Sequence, residues 1–157
     1  MIERAQRQMV FHGAVVLLGG MLTGLPLAVA IADDWGREAI RAWAVTHSSL
    51  AAAGIGLIAI GAALRHLQFG SRQLAAFVSA MVAANYLLCL GLVVSAMTGE
   101  RGLTASGPAL NMLLHVSNLV GVLGALLAGV LLVRGAYAGL HAHSRTPISE
   151  PAAIAAR

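Results

Sequence analysis

The sequence predicts an all-α integral membrane protein, built as an antiparallel and oligomeric bundle of four transmembrane helices. Hydrophobic residues make up 59% of the 157 residues and charged residues only 10%. A soluble domain of this length needs more polar groups to cover its surface. The apolar residues also fall into four runs, each long enough to cross a bilayer, which takes about 20 residues. Both observations therefore point to the same class of protein.

The four runs cover residues 9–32, 42–64, 74–97 and 109–133, and none contains Asp, Glu, Lys or Arg. Short polar connectors separate them. Apolar and polar residues do not alternate with period two over several segments, so helices are the structure that satisfies the backbone in lipid. The first run resembles a signal peptide ending in Ala-Val-Ala, but it is longer than a typical signal core and contains His12, so we predict a retained helix.

Residues 1–135 are predicted to form one transmembrane domain, and residues 136–157 a partly disordered cytoplasmic tail, because the apolar pattern stops there. The formal charge of +4 comes from arginine alone. Arginines are in excess before the first run, between the second and third, and after the fourth, which predicts that both termini face the cytoplasm of a bacterial-type inner membrane. The arginines at these three places are Arg4, Arg7, Arg65, Arg72, Arg134 and Arg145.

The composition predicts membrane lipid as a partner, whereas a small apolar substrate is implied only by the family resemblance described below. No basic patch is interleaved with aromatic residues, so we expect no nucleic-acid partner. Cys89 is the single cysteine, which excludes an intrachain disulfide and a CxxC metal site.

Polar side chains concentrate in the predicted outer half of the bundle, whereas His12 is expected at the cytoplasmic edge. Unpaired polar groups in hydrocarbon cost several kcal/mol, so these side chains should point inward. On the fourth helix three of them are spaced four and three residues apart, which places them on one helical face. The predicted catalytic residues are Asn85, Tyr86 and Cys89, and the predicted cofactor-binding residues are His47, Asn111, His115 and Asn118.

His47 is the predicted metal ligand, with a hydrogen-bonded helix clasp as the alternative. Catalytic zinc and non-haem iron sites usually add a carboxylate, and the four runs contain none. Haem needs only one axial histidine and an apolar slot. The absence of CxxCH predicts non-covalent haem b. Two other functions remain open: a bis-histidine electron-transfer or sensor protein using His47 and His115, and a haem-free accessory protein.

Four segments together resemble the styrene oxide isomerase family, whose members are small four-helix membrane proteins. They are ERAQRQMVFHG (residues 3–13), RAWAVTHS (residues 41–48), AANY (residues 83–86) and RGLT (residues 101–104). The resemblance spans residues 3–135. It implies a trimer with b-type haem between neighbouring subunits and His47 as the axial ligand. It also implies that ferric haem acts as a Lewis acid, which isomerises an epoxide to a carbonyl compound without net redox change.

The chain departs from the family pattern at three substrate-facing positions. Ala53 stands where the family has Asn, Met81 where it has Asp, and Cys89 where it has a substrate-orienting Tyr. Tyr86 could offer a phenol from one turn deeper. The segment SGPALN, which belongs to the second helix in the family, opens the fourth helix here, at residues 106–111.

Overall fold

The computed structural model describes residues 1–143, and within them the only regular structure is helical. Four helical stretches are long and apolar enough to cross a membrane, which confirms the predicted all-α fold of four spans; the oligomeric state stays a prediction. The helices are α1 (Ile2–Leu22), α2 (Gly24–Ala32), α3 (Arg37–Ala63), α4 (Ser71–Thr98) and α5 (Ala109–His143), with a 3-10 turn at Leu64–His66. The first span consists of α1 and α2 together, and the other three contain one long helix each.

The helices extend beyond the predicted apolar runs. Helix α1 begins at Ile2 rather than residue 9, and α5 continues to His143, so residues 136–143 are helical and not the start of a tail. An apolar run marks the part of a helix that lies in lipid, whereas the helix itself continues into polar residues. Packing also supports the end of α5, where a Cβ on Gly139 would lie 2.5 Å from the carbonyl oxygen of His66. Residues 144–157, the rest of the predicted tail, lie outside the described residues.

The first span is interrupted at Thr23, between α1 and α2. Pro26 lies in the first turn of α2, and proline lacks the N–H that would bond to the carbonyl four residues earlier, that of Leu22. Its ring also crowds that carbonyl, so an unbroken helix through Leu22 is disfavoured. The interruption therefore falls where the sequence Thr-Gly-Leu-Pro requires it.

Glycines bring α1 and α3 into backbone contact. A Cβ on Gly20 would lie 2.6 Å from the backbone nitrogen of Ala51, and a Cβ on Gly54 would lie 2.5 Å from that of Leu17. Gly13 and Gly61 make similar approaches to the opposite helix. The glycines recur at seven-residue spacing on each helix, which keeps them on one face. We call this contact the glycine seam; close approach of this kind is how helices associate in lipid.

Helices α4 and α5 form a second hairpin, which packs against the α1–α3 pair mainly through α4. The apolar core of the whole bundle lies toward the end that holds the start of α1. The largest fully buried apolar side chains there are Met9, Leu57, Leu64 and Phe77. The opposite half of the bundle contains the polar side chains of the candidate site.

Candidate functional site

His47 lies on α3, one seven-residue repeat before Gly54, so its side chain enters the α1–α3 contact. The ring Nδ1 is 2.8 Å from the carbonyl oxygen of Gly20. A carbonyl only accepts hydrogen bonds, so in this contact Nδ1 carries a proton, and Nε2 is the ring nitrogen that can offer a lone pair to a metal. Gly24 leaves room for the ring, since a Cβ there would lie 3.3 Å from the Cε1 and Nδ1 atoms of His47.

The carbonyl of Gly20 accepts a second hydrogen bond. The hydroxyl of Thr23, the residue at the interruption between α1 and α2, donates to it at 2.6 Å. The same short segment therefore breaks the helix and places the acceptor for the histidine. The sequence analysis did not identify Gly20, Thr23 or Gly24 as part of the site, although a proline inside an apolar run is a recognisable signal for such a break.

A second hydroxyl ties the site to the neighbouring hairpin. Thr46, beside His47, is almost fully buried. Its Oγ1 lies 2.9 Å from the carbonyl oxygen of Ala42 on its own helix and 3.2 Å from that of Leu92 on α4. The hydroxyl has one proton to share between these two carbonyls. Thr46 therefore links α3 to α4 directly beside the histidine.

The donor set around His47 suits a cofactor that needs one protein ligand. Among residues 1–143, no three His, Cys, Asp or Glu side chains lie close enough together to hold a metal ion. A histidine ligand commonly donates its other ring N–H to a backbone carbonyl, which fixes its orientation and increases its basicity. His47 has this arrangement with Gly20, and one axial imidazole is sufficient for haem. His47 and the Gly20 carbonyl therefore fit the single-histidine ligation of haem b.

Asn111, His115 and Asn118 share one face of α5, as their spacing predicts, and that face holds the connector between α4 and α5. Asn111 Oδ1 accepts from the backbone N–H of Gly102 at 2.8 Å, and its Nδ2 donates to the carbonyls of Thr104 and Ser106 at 2.9 and 2.7 Å. This single side chain therefore makes three hydrogen bonds to the loop.

The other two side chains bind the beginning of the same loop. His115 Nδ1 is 3.1 Å from the carbonyl oxygen of Gly102, and Asn118 Nδ2 is 3.4 Å from that of Arg101. Gly102 has a φ of +61° and presses against the backbone of α5 at Leu114, which only glycine accommodates. Within residues 1–143, no hydrogen bond or ring contact joins His115 to His47.

The predicted catalytic residues on α4 have different environments. Asn85 Nδ2 donates to the carbonyl of Met81 on its own helix at 2.9 Å. Cys89 is half-buried and packs against the apolar core. The Tyr86 hydroxyl is 3.0 Å from Nδ1 of His12 on α1, and their rings meet edge to face.

The contact with Tyr86 gives His12 a partner on α4 that the spacing did not predict, and its position at the cytoplasmic edge of the membrane stays a prediction. Helix α1 begins at Ile2, so His12 lies about 15 Å along that helix, at about 1.5 Å per residue. It reaches a tyrosine near the middle of α4 for this reason. The contact between His12 and Tyr86 was not predicted, because hydropathy alone does not show where a helix starts.

The fold and these contacts define a multi-pass membrane protein of four helical spans with a histidine fixed inside the bundle. The chain belongs to the styrene oxide isomerase family, because the sequence profile of that family, described as "Styrene oxide isomerase", matches residues 5–137. No curated protein matches the chain.

Proposed function

We propose that this protein is a membrane-embedded haem b isomerase that converts an epoxide to a carbonyl compound, with His47 as the axial ligand. Membership of the family supports the reaction class. The observation that carries the assignment of the ligand is the bond between His47 Nδ1 and the Gly20 carbonyl, because it leaves Nε2 with a lone pair.

When bound, ferric haem would supply a Lewis acid that stabilises negative charge on the epoxide oxygen. The isomerisation keeps every atom: a hydride moves to the neighbouring carbon and a carbonyl forms, so no external redox partner is needed. The chain's apolar residues keep water from a carbocation during that shift. Tyr86 is 38% exposed and its hydroxyl contacts His12. Asn85 and Cys89 lie near Tyr86 on α4, and we propose that these three side chains contact the substrate.

We further propose a homo-oligomer, a trimer by family resemblance. Haem has a broad apolar surface that must be covered on both sides of the histidine. By the family resemblance the group lies between subunits, so a neighbouring subunit would cover the part of this surface that one chain leaves exposed.

The proposed orientation places both termini in the cytoplasm of the inner membrane. In the structure Gln68, in the connector between α3 and α4, bonds to Gly135 near the end of α5. Arg65, Arg72 and Arg134 thus share one end of the bundle with the start of α1, as the positive-inside rule requires of cytoplasmic segments. Reporter fusions at the C terminus, one active in the cytoplasm and one active outside it, test this orientation.

A comparison of His47→Gly with His115→Gly tests the ligand. The full-length wild type, purified with haem supplementation, should show a Soret band and convert aryl epoxides to aldehydes. In His47→Gly the Soret absorbance and the rate of epoxide conversion should each fall at least tenfold. Added imidazole should restore the Soret band because it replaces the missing ligand. His115→Gly should keep the Soret position of the wild type.

Two results would contradict the proposal. A normal Soret band in His47→Gly would show that His47 does not bind the iron. If the haem-loaded wild type leaves a panel of aryl and alkyl epoxides unchanged, the proposed isomerase activity is contradicted. The assignment of His47 as the ligand is not affected by that result.

A further inference from the structure

Two adjoining hollows lie on the exposed side of α1, at the end of the bundle opposite to His47. One has a volume of about 420 Å³ and is lined by Arg4, Arg7, Gln8 and Phe11. The other has a volume of about 440 Å³ and is lined by Gln6, Arg7, Val10, Phe11, Gly61 and Ala62. Arg7 and Phe11 border both, so the two form one surface, which we call the α1 groove.

The α1 groove is basic at one end and apolar at the other. Arg4 and Arg7 are exposed, and Arg4 makes no ion pair among the described residues. Arg7 pairs with Glu3 at 3.4 Å, but both side chains are about 80% exposed, so solvent screens the pair and it holds the arginine weakly. On the other side of Arg7 and Phe11 the second hollow adds the apolar residues Val10, Gly61 and Ala62. An amphiphile with an anionic head complements this surface.

The vertical spacing matches a phospholipid. Arg4 and Phe11 are seven residues apart on one helix, which is about 10 Å along its axis. The headgroup region adds roughly 5–8 Å on each side of the hydrocarbon core. The guanidinium groups therefore reach the phosphate level when Phe11, which is 63% exposed, lies at the edge of the hydrocarbon.

We infer that the α1 groove binds one anionic diacyl phospholipid, with its phosphate between Arg4 and Arg7 and an acyl chain along the exposed Phe11. Arginine suits this task because its planar guanidinium donates two parallel hydrogen bonds to phosphate oxygens. The inference does not depend on haem or on the isomerase activity.

Native mass spectrometry of the full-length protein in detergent, titrated with phosphatidylglycerol or phosphatidylcholine, tests the site. The wild type should retain one phosphatidylglycerol per chain at least fivefold more than phosphatidylcholine. Arg4→Gln/Arg7→Gln should lose that preference. The matched control is Arg72→Gln/Arg134→Gln, which removes the same charge from exposed positions at the same end of the bundle and should behave as the wild type does.

Two further measurements sharpen the outcome. Glu3→Gln should increase phosphatidylglycerol retention, because it releases Arg7 and removes a negative charge beside the site. Phe11→Ala should weaken retention although it changes no charge. The inference is overturned if both double variants lose the lipid equally, if phosphatidylcholine binds as well as phosphatidylglycerol, or if inorganic phosphate at equal concentration displaces the lipid completely.

Discussion

Replacing Gly54 with alanine should separate α1 from α3. The new Cβ would lie 2.5 Å from the backbone nitrogen of Leu17 and 2.7 Å from its Cα. Ordinary contact begins at 3.4 Å, so α1 must move by about 0.9 Å, and backbone atoms cannot rotate away as a flexible side chain can. Overpacking of this kind costs about 1–3 kcal/mol. For a chain of this length that corresponds to a fall in Tm of roughly 3–10 °C.

Gly56→Ala is the matched control, because it lies on the same helix and a Cβ there meets nothing within 4 Å. It should be neutral or stabilise the protein by up to about 1 kcal/mol through its higher helix propensity. Thermal unfolding of both full-length variants in the same detergent measures the difference. Because His47 lies one seven-residue repeat from Gly54, Gly54→Ala should also weaken the Soret band, whereas Gly56→Ala should not. Equal Tm values for the two variants would refute the close-contact explanation of the seam.

Asn111→Ala should destabilise the protein by about 2–4 kcal/mol, because it leaves the N–H of Gly102 without an acceptor and two loop carbonyls without a donor. Trypsin should then cut the loop at Arg101 faster, whereas Asn118→Ala, which removes one bond of 3.4 Å, should change the cleavage rate little; equal rates in the two variants would contradict this role. Thr46→Val should cost about 0.6–1.7 kcal/mol in the detergent unfolding free energy, because it removes the hydroxyl shared with α4. Ser48→Ala, whose hydroxyl bonds only to its own helix, should cost less, and the reverse order would count against the link between the helices.

The four spans were predictable because hydrocarbon imposes a simple rule: a long apolar run without charges must be helical. The shared face of Asn111, His115 and Asn118 was predictable too, since helical spacing fixes it. The partners of those side chains were not predictable. Spacing gives a direction around one helix but no partner, and the structure supplies the loop at Gly102 as a partner that depth arguments do not consider.

The immediate environment of His47 also depends on a partner helix. The seven-residue spacing of the glycines on each helix is present in the sequence, but it does not say which two helices meet. The axial register of α1 against α3 decides that the carbonyl of Gly20, rather than any other carbonyl of the first span, faces the imidazole of His47. That register follows from contacts between residues about thirty positions apart, which a local pattern does not contain.

One oxygen atom, the carbonyl of Gly20, receives both the Thr23 hydroxyl and the His47 ring. The interruption of the first span and the orientation of the imidazole are therefore coupled. A substitution that favours an unbroken helix here, such as Pro26→Ala, should also shift the His47 ring on a different helix. Redesign of this scaffold therefore has to treat residues 20–26 and His47 as a single unit.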